Sequence, residues 1–569
     1  MPCIVLGENM EQGFNTISNR NELADYLGIS RSSLTYVLYV KGIDSFYVSF
    51  DVPKKSGGTR TIHAPQGTLK GIQKILLIKL YNYRYTINEN ENIKLNISHA
   101  FENKKSIITN ARIHKNKRFI INFDLKDFFE SFHFGRVKGY FEKNKYFCMP
   151  EDVARIIAQL TCYSGTLPQG APTSPIITNL ICQSLDYKIL SLAKKHHLDY
   201  TRYADDLTFS TNDKKILENY DTFYKSLVNI IHGSGFEINE KKTRFVYKHS
   251  KQIVTGLVVN KKVNVDSTYY RNVRSMAHHL YTEGTFWDNG NECTINQLEG
   301  KLSFINQIDK YNNKLCEEKK NLANLNRRER EYQRFLFYKN FYGNPQPVII
   351  TEGKTDILYI KAALRKYYLD YPELIEKSNS GQFHYKLTFF RRSSIKQFFF
   401  GMSYDGADAI KKIYNFFTDN DSGRFPNYYE KFNQISAIKT SSPIILLFDN
   451  ELNNKNKPIK NFCNYVGLKP ETVDCIKNGG FIPIVDNKLF LLTHQLVNDL
   501  AECEIEDLFD EITLNHTING KTFSRQSDFD IDKHYGKEIF SKHIISHYES
   551  IDFSNFKPLL NSINQLIAH

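Results

Sequence analysis

Residues Tyr200–Ser210 read YTRYADDLTFS. Apolar, β-prone residues flank Ala204-Asp205-Asp206, which predicts two strands joined by a tight turn with adjacent carboxylates at its tip. Upstream, Phe119–Phe129 reads FIINFDLKDFF, an apolar strand that runs up to Asp124 and brings its carboxylate out at an edge. Taken alone, an Asp-Asp pair is commonly a solvated turn, and that alternative stands at this point. Three carboxylates converging from Asp124, Asp205 and Asp206 can also hold two Mg²⁺ ions. Such ions lie ~3.5–4 Å apart and clamp the attacking and leaving oxygens of a phosphoryl transfer. Mg²⁺ takes oxygen ligands and keeps waters, so aspartates suffice without histidine or cysteine.

Between these strands, Thr166–Leu180 reads TLPQGAPTSPIITNL, with a loop at Leu167-Pro168-Gln169-Gly170 and a helix starting at Ser174. Further on, Asn239–Phe245 reads NEKKTRF. FDLKDFF, LPQGAPTSP, YADD and NEKKTRF stand in the order and spacing of reverse transcriptase motifs, and residues 20–310 resemble that family. The resemblance implies an α+β right-hand polymerase with palm, fingers and thumb. It makes Asp124, Asp205 and Asp206 the catalytic, Mg²⁺-binding triad of a two-ion site. Phe129 resembles the steric gate that favours dNTPs over NTPs, and Gln169 the residue beside the sugar and primer end. Lys242 resembles the lysine poised near leaving pyrophosphate, where a cation offsets developing charge. Phe46–Val52 and Thr59–Ala64, joined by Lys54-Lys55-Ser56-Gly57-Gly58, read as a basic β-hairpin. There Arg60, whose guanidinium suits bidentate phosphate binding, resembles the finger residue that grips triphosphate, with Lys54 second to it.

Two further elements resemble those of retron reverse transcriptases: Asn110-Ala111-Arg112-Ile113-His114 and Val254-Thr255-Gly256. That likeness implies a cognate structured non-coding RNA as partner, priming at a guanosine 2′-hydroxyl, and branched msDNA as product. Asn110 and His114 are thereby expected at the RNA, together with Lys261, Lys262, Arg271 and Arg274 of the thumb. Tyr269 and Tyr270 among the basic residues suit RNA contact or a core. Group II intron enzymes are the runner-up family; their maturase and HNH-type regions are not recognisable here.

Charge agrees with this division. Residues 1–340 carry 49 Lys and Arg against 34 Asp and Glu, a net +15, while residues 341–569 carry 26 against 28, a net −2. A basic half suits phosphate backbones, although a lysine-rich solvated surface gives the same count. The 41% hydrophobic and 14% aromatic content excludes global disorder. No run approaches the ~18 apolar residues of a membrane span, and the first residues lack a basic n-region. Nine cysteines without a C-x-x-C pair read as reduced thiols of a cytoplasmic protein. The expected segments are an N-terminal helical segment (1–45), fingers and palm (46–250), thumb (251–310), charged helical connector (311–345), α/β domain (346–515) and C-terminal tail (516–569). Asn21–Val40 could pass for a DNA-reading helix-turn-helix, but a packed helical pair is the better reading.

In the second half, Pro347–Leu364 reads PVIITEGKTDILYIKAAL and Ser441–Leu452 reads SSPIILLFDNEL, with a Gly-rich step at Phe400–Ile410 (FGMSYDGADAI) between them. Strand-Glu-Gly followed by strand-Asp-x-acid resembles the α/β TOPRIM fold of topoisomerases, primases and some nucleases. This implies Glu352 as an acid–base group and metal ligand, and Asp449 and Glu451 as ligands of a second Mg²⁺ or Mn²⁺ site. The usual Asp-x-Asp is here Asp449-Asn450-Glu451. Thr355 and Asp356 beside the glutamate turn resemble the variant of overcoming-lysogenisation-defect nucleases. Ala501–Phe509 (AECEIEDLF) offers Glu504, Glu506 or Asp507 as further acids, or simply an acidic helix start. The expectation is a retron reverse transcriptase using dNTPs, with a nuclease effector in anti-phage defence; the alternative makes the second half a binding module for msDNA or a protein. Membrane partners are not expected, and homo-oligomerisation is left open.

Overall fold

The computed structural model describes residues 13–54, 57–93, 96–313, 321–402, 408–419, 425–439, 442–526 and 528–568. The first twelve residues, part of the Lys54–Gly58 turn, part of the connector and part of the Gly-rich step lie outside the described residues. The chain forms two compact units, Met1–Asp266 and Ser267–His569.

The first unit opens with helices Arg20–Leu27 and Arg31–Thr35. Asn19 caps the first by accepting from the N–H groups of Asn21 and Glu22, and Gly28 ends it at φ +67°. Leu23, Leu27 and Leu34 are buried in the unit's core, so the segment packs as a helical pair. Strands β1 (Tyr47–Pro53) and β2 (Thr59–Pro65) pair antiparallel from Tyr47↔Pro65 to Pro53↔Thr59, giving the expected hairpin. Next come helix α1 (Ile107–Ile113), strand β3 (Phe119–Asp124), helix α2 (Ser174–Lys195), and strands β4 (Asp199–Tyr203), β5 (Asp206–Thr211) and β6 (Arg244–Tyr247). They build an antiparallel sheet in the order β4-β5-β3-β6. Its interior carries Phe119, Ile121, Phe123, Leu207 and Phe209, in one core with Ile176, Ile177, Leu180 and Leu185 of α2.

The second unit begins with α3 (Ser267–Glu283), α4 (Ile295–Asn313) and α5 (Arg327–Phe337). Of the residues expected as thumb, those from Ser267 on therefore fold with the C-terminal part of the chain, as do the described connector residues, while 251–266 stay with the first unit. The charged stretch at α5 is amphipathic: Tyr332, Phe335, Leu336 and Phe337 are buried with Glu329 and Gln333, while Arg327, Arg328, Arg330, Glu331 and Arg334 keep some exposure. Gln333 Nε2 donates to Phe399 O at 2.7 Å, Tyr338 Oη to Leu280 O at 3.0 Å, and Tyr281 packs edge-on against Phe432 at 5.0 Å. Aromatic area of this kind outweighs the local charge in deciding what folds together.

The rest of the unit is an α/β sheet. Strands β7 (Val348–Thr351), β8 (Thr388–Phe389), β9 (Ile444–Phe448), β10 (Phe481–Val485) and β11 (Leu489–Thr493) lie in the order β8-β7-β9-β11-β10. All are parallel except β10 on β11. Every residue of β7 and β9 is buried, as expected of parallel strands covered on both faces. Helices α6 (Asp356–Lys366), α7 (Lys537–Ser546) and α8 (Lys557–Ala568) share one core with Ile349, Ile445 and Leu492. Residues expected as a tail are integral: Phe540, Phe556, Leu560 and Ile563 are fully buried. Among the described residues no helix is long and apolar enough to cross a membrane.

Candidate active site

In the first unit, β4 and β5 are joined by the expected turn, with Tyr203 opposite Asp206 and Asp124 opposite Asp206 on the other side. Ala204 sits at φ +56°, a left-handed conformation that costs a residue with a Cβ about 1–2 kcal/mol and persists because its surroundings enforce it. Leu125 N–H donates to Asp205 O at 3.0 Å, and Asn239 N–H to Asp124 O at 2.7 Å. The NEKKTRF segment is thereby tied to the end of β3. Lys242 Nζ donates to both Asp124 oxygens, at 2.9 and 2.8 Å.

A cavity of about 970 Å³ opens here, with Arg60, Asp124, Phe129, Gln169, Asp205 and Lys242 all in its wall. Lys54 lines it too, while Asp206 is not among its lining residues. Gln169 Nε2 reaches Glu130 Oε1 at 3.5 Å. Gly170 explains why its loop meets the hairpin: a Cβ there would lie 2.4 Å from His63 O and 3.0 Å from Ile62 Cγ2. A backbone carbonyl cannot yield as a side-chain tip can. Gly170→Ala is expected to part loop from hairpin and lower kcat/KM for dNTP incorporation by about 10²-fold, the cost of ångström-scale misplacement. Steady-state kinetics on a primed RNA template would measure it; unchanged kinetics would show the contact to be dispensable.

Burial, then repulsion from Asp205 and Asp124, pushes the Asp206 carboxyl up to about 7. Burial is also the leading cause of the upward shift at Asp205. The donor set is all carboxylate and short of compensating charge, so it fits hard divalent cations.

Behind the turn lies a feature that motif reading missed. Arg202, fully buried, donates through Nε and Nη2 to the two oxygens of Asp186 on α2, at 2.8 Å each. Nη2 also reaches Asn179 Oδ1 at 3.2 Å and Nη1 reaches Ala204 O at 3.3 Å. Tyr200 Oη adds a bond to Asp186 at 3.1 Å. The available signal was a lone arginine in a buried strand and a lone acid in an apolar helix, two charges that each need a partner.

Asn110 and His114 correct the expectation of RNA contact. Both are fully buried. His114 bonds Ser210 Oγ through Nδ1 and Thr201 Oγ1 through Nε2, each at 2.7 Å, tying α1 to β4 and β5. Their spacing puts both on the inward face of α1, which packs on the sheet. The Val254-Thr255-Gly256 element is a tight turn, with Thr255 at φ +46° and Gly256 at φ +82°, and Thr255 Oγ1 reaches Ile107 O of α1 at 3.4 Å. Lys261 and Lys262 are exposed in the first unit; Arg271 is exposed and Arg274 half-buried in the second.

In the second unit, Glu352 follows β7 and Asp449 follows β9, at the carboxyl ends of adjacent parallel strands. Arg392, unnoticed in the sequence, clamps this exit by donating to Thr351 O and Glu352 O at 2.9 and 2.8 Å. Burial, then repulsion from Asp449, Asp356 and Glu451, pushes the Glu352 carboxyl up to about 8. Asp449 Oδ1 accepts from Ile505 N–H at 2.9 Å, and Glu451 is paired with Lys457. Asn450 turns inward, donating to Lys477 O and His494 O at 2.7 Å each. The Ala501–Phe509 segment also reaches the cluster: Glu504 and Glu506 both accept from Lys537 Nζ at 3.1 Å, and Asp507 pairs with Arg525. Among the described residues no three His, Cys, Asp or Glu side chains already stand in a metal-holding arrangement; in both units lysines engage the carboxylates.

These raised carboxyls give a signed pH dependence. Asp206 and Glu352 keep protons in the folded state that the unfolded chain releases near 3.8 and 4.5. Their stabilising contribution is therefore full below those values and fades as pH rises through about 7 and about 8. A divalent cation bound among these carboxylates would take the proton's place. Added Mg²⁺ is expected to raise the melting temperature more at about pH 8.5 than at about pH 5.5, and equal increments in calorimetry would refute this.

Residues 52–270 match the family model described as reverse transcriptase (RNA-dependent DNA polymerase). The chain is 34% identical over 305 residues to the Retron Ec86 reverse transcriptase of Escherichia coli, covering 52% of this chain and 87% of that protein. It is 32% identical over 330 residues to the Retron Mx162 reverse transcriptase of Myxococcus xanthus, covering 52% and 65%. Among solved structures, Candida albicans telomerase in complex with a fragment of telomeric RNA superposes at TM-score 0.32 and 12% identity, covering 69% of this chain and 66% of that one.

Proposed function

The chain belongs to the retron reverse transcriptases and is an RNA-directed DNA polymerase; from that premise we propose that it copies a cognate structured RNA into branched msDNA and carries a metal-dependent nuclease as effector. Asp124, Asp205 and Asp206 would hold two Mg²⁺ ions, which when bound activate the attacking hydroxyl and stabilise the leaving pyrophosphate. Arg60 and Lys54 on the hairpin bind the triphosphate, and Phe129 closes the wall where a ribonucleotide 2′-hydroxyl would sit. Gln169 orients the sugar. Lys242 passes from Asp124 to the departing phosphate charge. Lys261, Lys262, Arg271 and Arg274 contribute backbone contacts to the RNA stem, which are sequence-independent and salt-sensitive.

For the second unit, one observation carries the reading: Glu352 and Asp449 emerge side by side at the carboxyl ends of adjacent parallel strands, where open α/β sheets place their chemistry. The TOPRIM-like reading assigns Glu352, Asp449 and Glu451 to a Mg²⁺ or Mn²⁺ centre that would cleave nucleic acid when the retron complex meets phage. Glu352, whose proton a bound cation would displace, serves this centre as a ligand and as an acid–base group. The full chain assayed for cleavage with Mg²⁺ or Mn²⁺ should lose at least about 100-fold in Glu352→Ala and in Asp449→Ala, more than loss of an outer-shell partner costs a metal site. If both variants kept cleavage and phage defence, the effector reading would fall and a binding role for this unit would replace it.

A further inference from the structure

His494 follows β11, next to the exit of β9 that carries Asp449, because Phe448 pairs with Thr493 in the parallel ladder. Its side chain is 1% exposed. Nδ1 lies 3.0 Å from Gln495 O, and a carbonyl can only accept, so Nδ1 carries a proton. Nε2 is buried without a hydrogen-bond partner, and it faces Asp449 Oδ1 at 3.6 Å. In a neutral imidazole that nitrogen presents a lone pair to a carboxylate oxygen, an unfavourable meeting unless something positive lies between them. With metal–nitrogen and metal–oxygen bonds of about 2.0–2.2 Å, two ligands of one ion stand about 3.0–3.5 Å apart; at 3.6 Å these two atoms are just beyond that span, and a small closing movement brings both onto one cation.

We infer that His494 Nε2 is a nitrogen ligand of the cation centre at Asp449, making it a mixed imidazole–carboxylate site that takes a first-row transition-metal dication in preference to Mg²⁺. Imidazole binds such ions well and Mg²⁺ poorly, whereas carboxylates accept both. The surroundings suit a dication. Glu352 and Glu451 flank Asp449, and the positive charge on this side, Lys457, is already paired with Glu451. Asn450 fixes the geometry from behind, because its side chain holds the backbone oxygen of His494 at 2.7 Å. The inference rests on the reading of this cluster as a cation centre and adds its nitrogen ligand and its metal preference.

The test uses Mn²⁺ on the full chain, added until both carboxylate clusters are loaded and followed by electron paramagnetic resonance. Electron spin-echo modulation from directly bound ¹⁴N should appear in the wild type. It should vanish in His494→Asn, whose amide can replace the Nδ1 contact but not Nε2, and Mn²⁺ affinity at this centre should drop at least about 10-fold, with Mg²⁺ affinity unchanged. His494→Gln, which returns an oxygen or nitrogen near the Nε2 position, should recover part of the affinity. A wild-type spectrum without ¹⁴N modulation would overturn the inference, leaving an imidazolium paired with Asp449; that result does not depend on any variant folding. Asp449→Asn separates the two levels. If it leaves Mn²⁺ stoichiometry unchanged, the cation centre itself is refuted; if it removes one ion while the wild type shows no ¹⁴N signal, only the role of His494 is.

Discussion

The full chain with Asp205→Asn and Asp206→Asn is expected to lose at least about 100-fold of its RNA-directed DNA synthesis, beyond what an outer-shell lesion costs a metal site, while melting no lower than the wild type. Asparagine keeps the shape of aspartate and removes the charge that holds a cation. The stability half of the expectation follows from the same electrostatics. Asp206 is pushed up to about 7 by burial and by its two neighbours, so a neutral side chain there relieves repulsion in the cation-free protein. A variant that is inactive and unfolded would say nothing about chemistry; one that is inactive and equally stable isolates the charge. Primer extension on an RNA template, beside a thermal melt of the same preparation, reads both. Surviving synthesis would overturn the assignment of the two aspartates.

Arg202→Met is the second large expected effect, and it acts through the fold. The guanidinium has no exposed surface and satisfies Asp186, Asn179 and the carbonyl of the strained Ala204. Removing it strands a buried carboxylate, and breaking a buried pair by taking one partner costs about 3–5 kcal/mol. On a unit of this size that lowers the melting temperature by roughly 6–20 °C. Arg202→Lys keeps the charge but not the two-pronged geometry and should fall between. The double variant Arg202→Met with Asp186→Leu should recover most of the stability, because an apolar pair avoids desolvating two ions. It should not recover full synthesis, since the bond to Ala204 O that steadies the carboxylate turn is gone. A melting point unmoved by Arg202→Met would refute the role of this pair.

The polymerase half was legible because its chemistry is local. A tight turn brings Asp205 and Asp206 together, and strand alternation delivers Asp124 beside them, so a few residues of sequence encode each part. The same local logic exposed Glu352 and Asp449, each the first acid after an apolar strand. It failed at Asn110 and His114, where a recognisable element was taken as a contact surface although both side chains point inward. It was blind to Arg202–Asp186, Arg392 and His494, which gain meaning from partners between 16 and 45 positions away.

The amino-acid sequence by itself determined the reverse transcriptase family, the order of its motifs, the carboxylates of both units and the placing of net positive charge in the first three-fifths of the chain. Those properties depend on residue type and spacing over short stretches, which the turn and strand periods translate directly. Only the tertiary structure decided that residues after Asp266 fold with the C-terminal sheet, that the charged stretch at α5 has a buried aromatic face, and that the C-terminal segment sends Phe540, Phe556, Leu560 and Ile563 into the core. Only it showed that Arg202 is paired with Asp186 and that Nε2 of His494 is buried without a hydrogen-bond partner. Burial and pairing are properties of distance in space, and a chain folded across parallel strands brings its decisive partners together from positions that no local pattern connects.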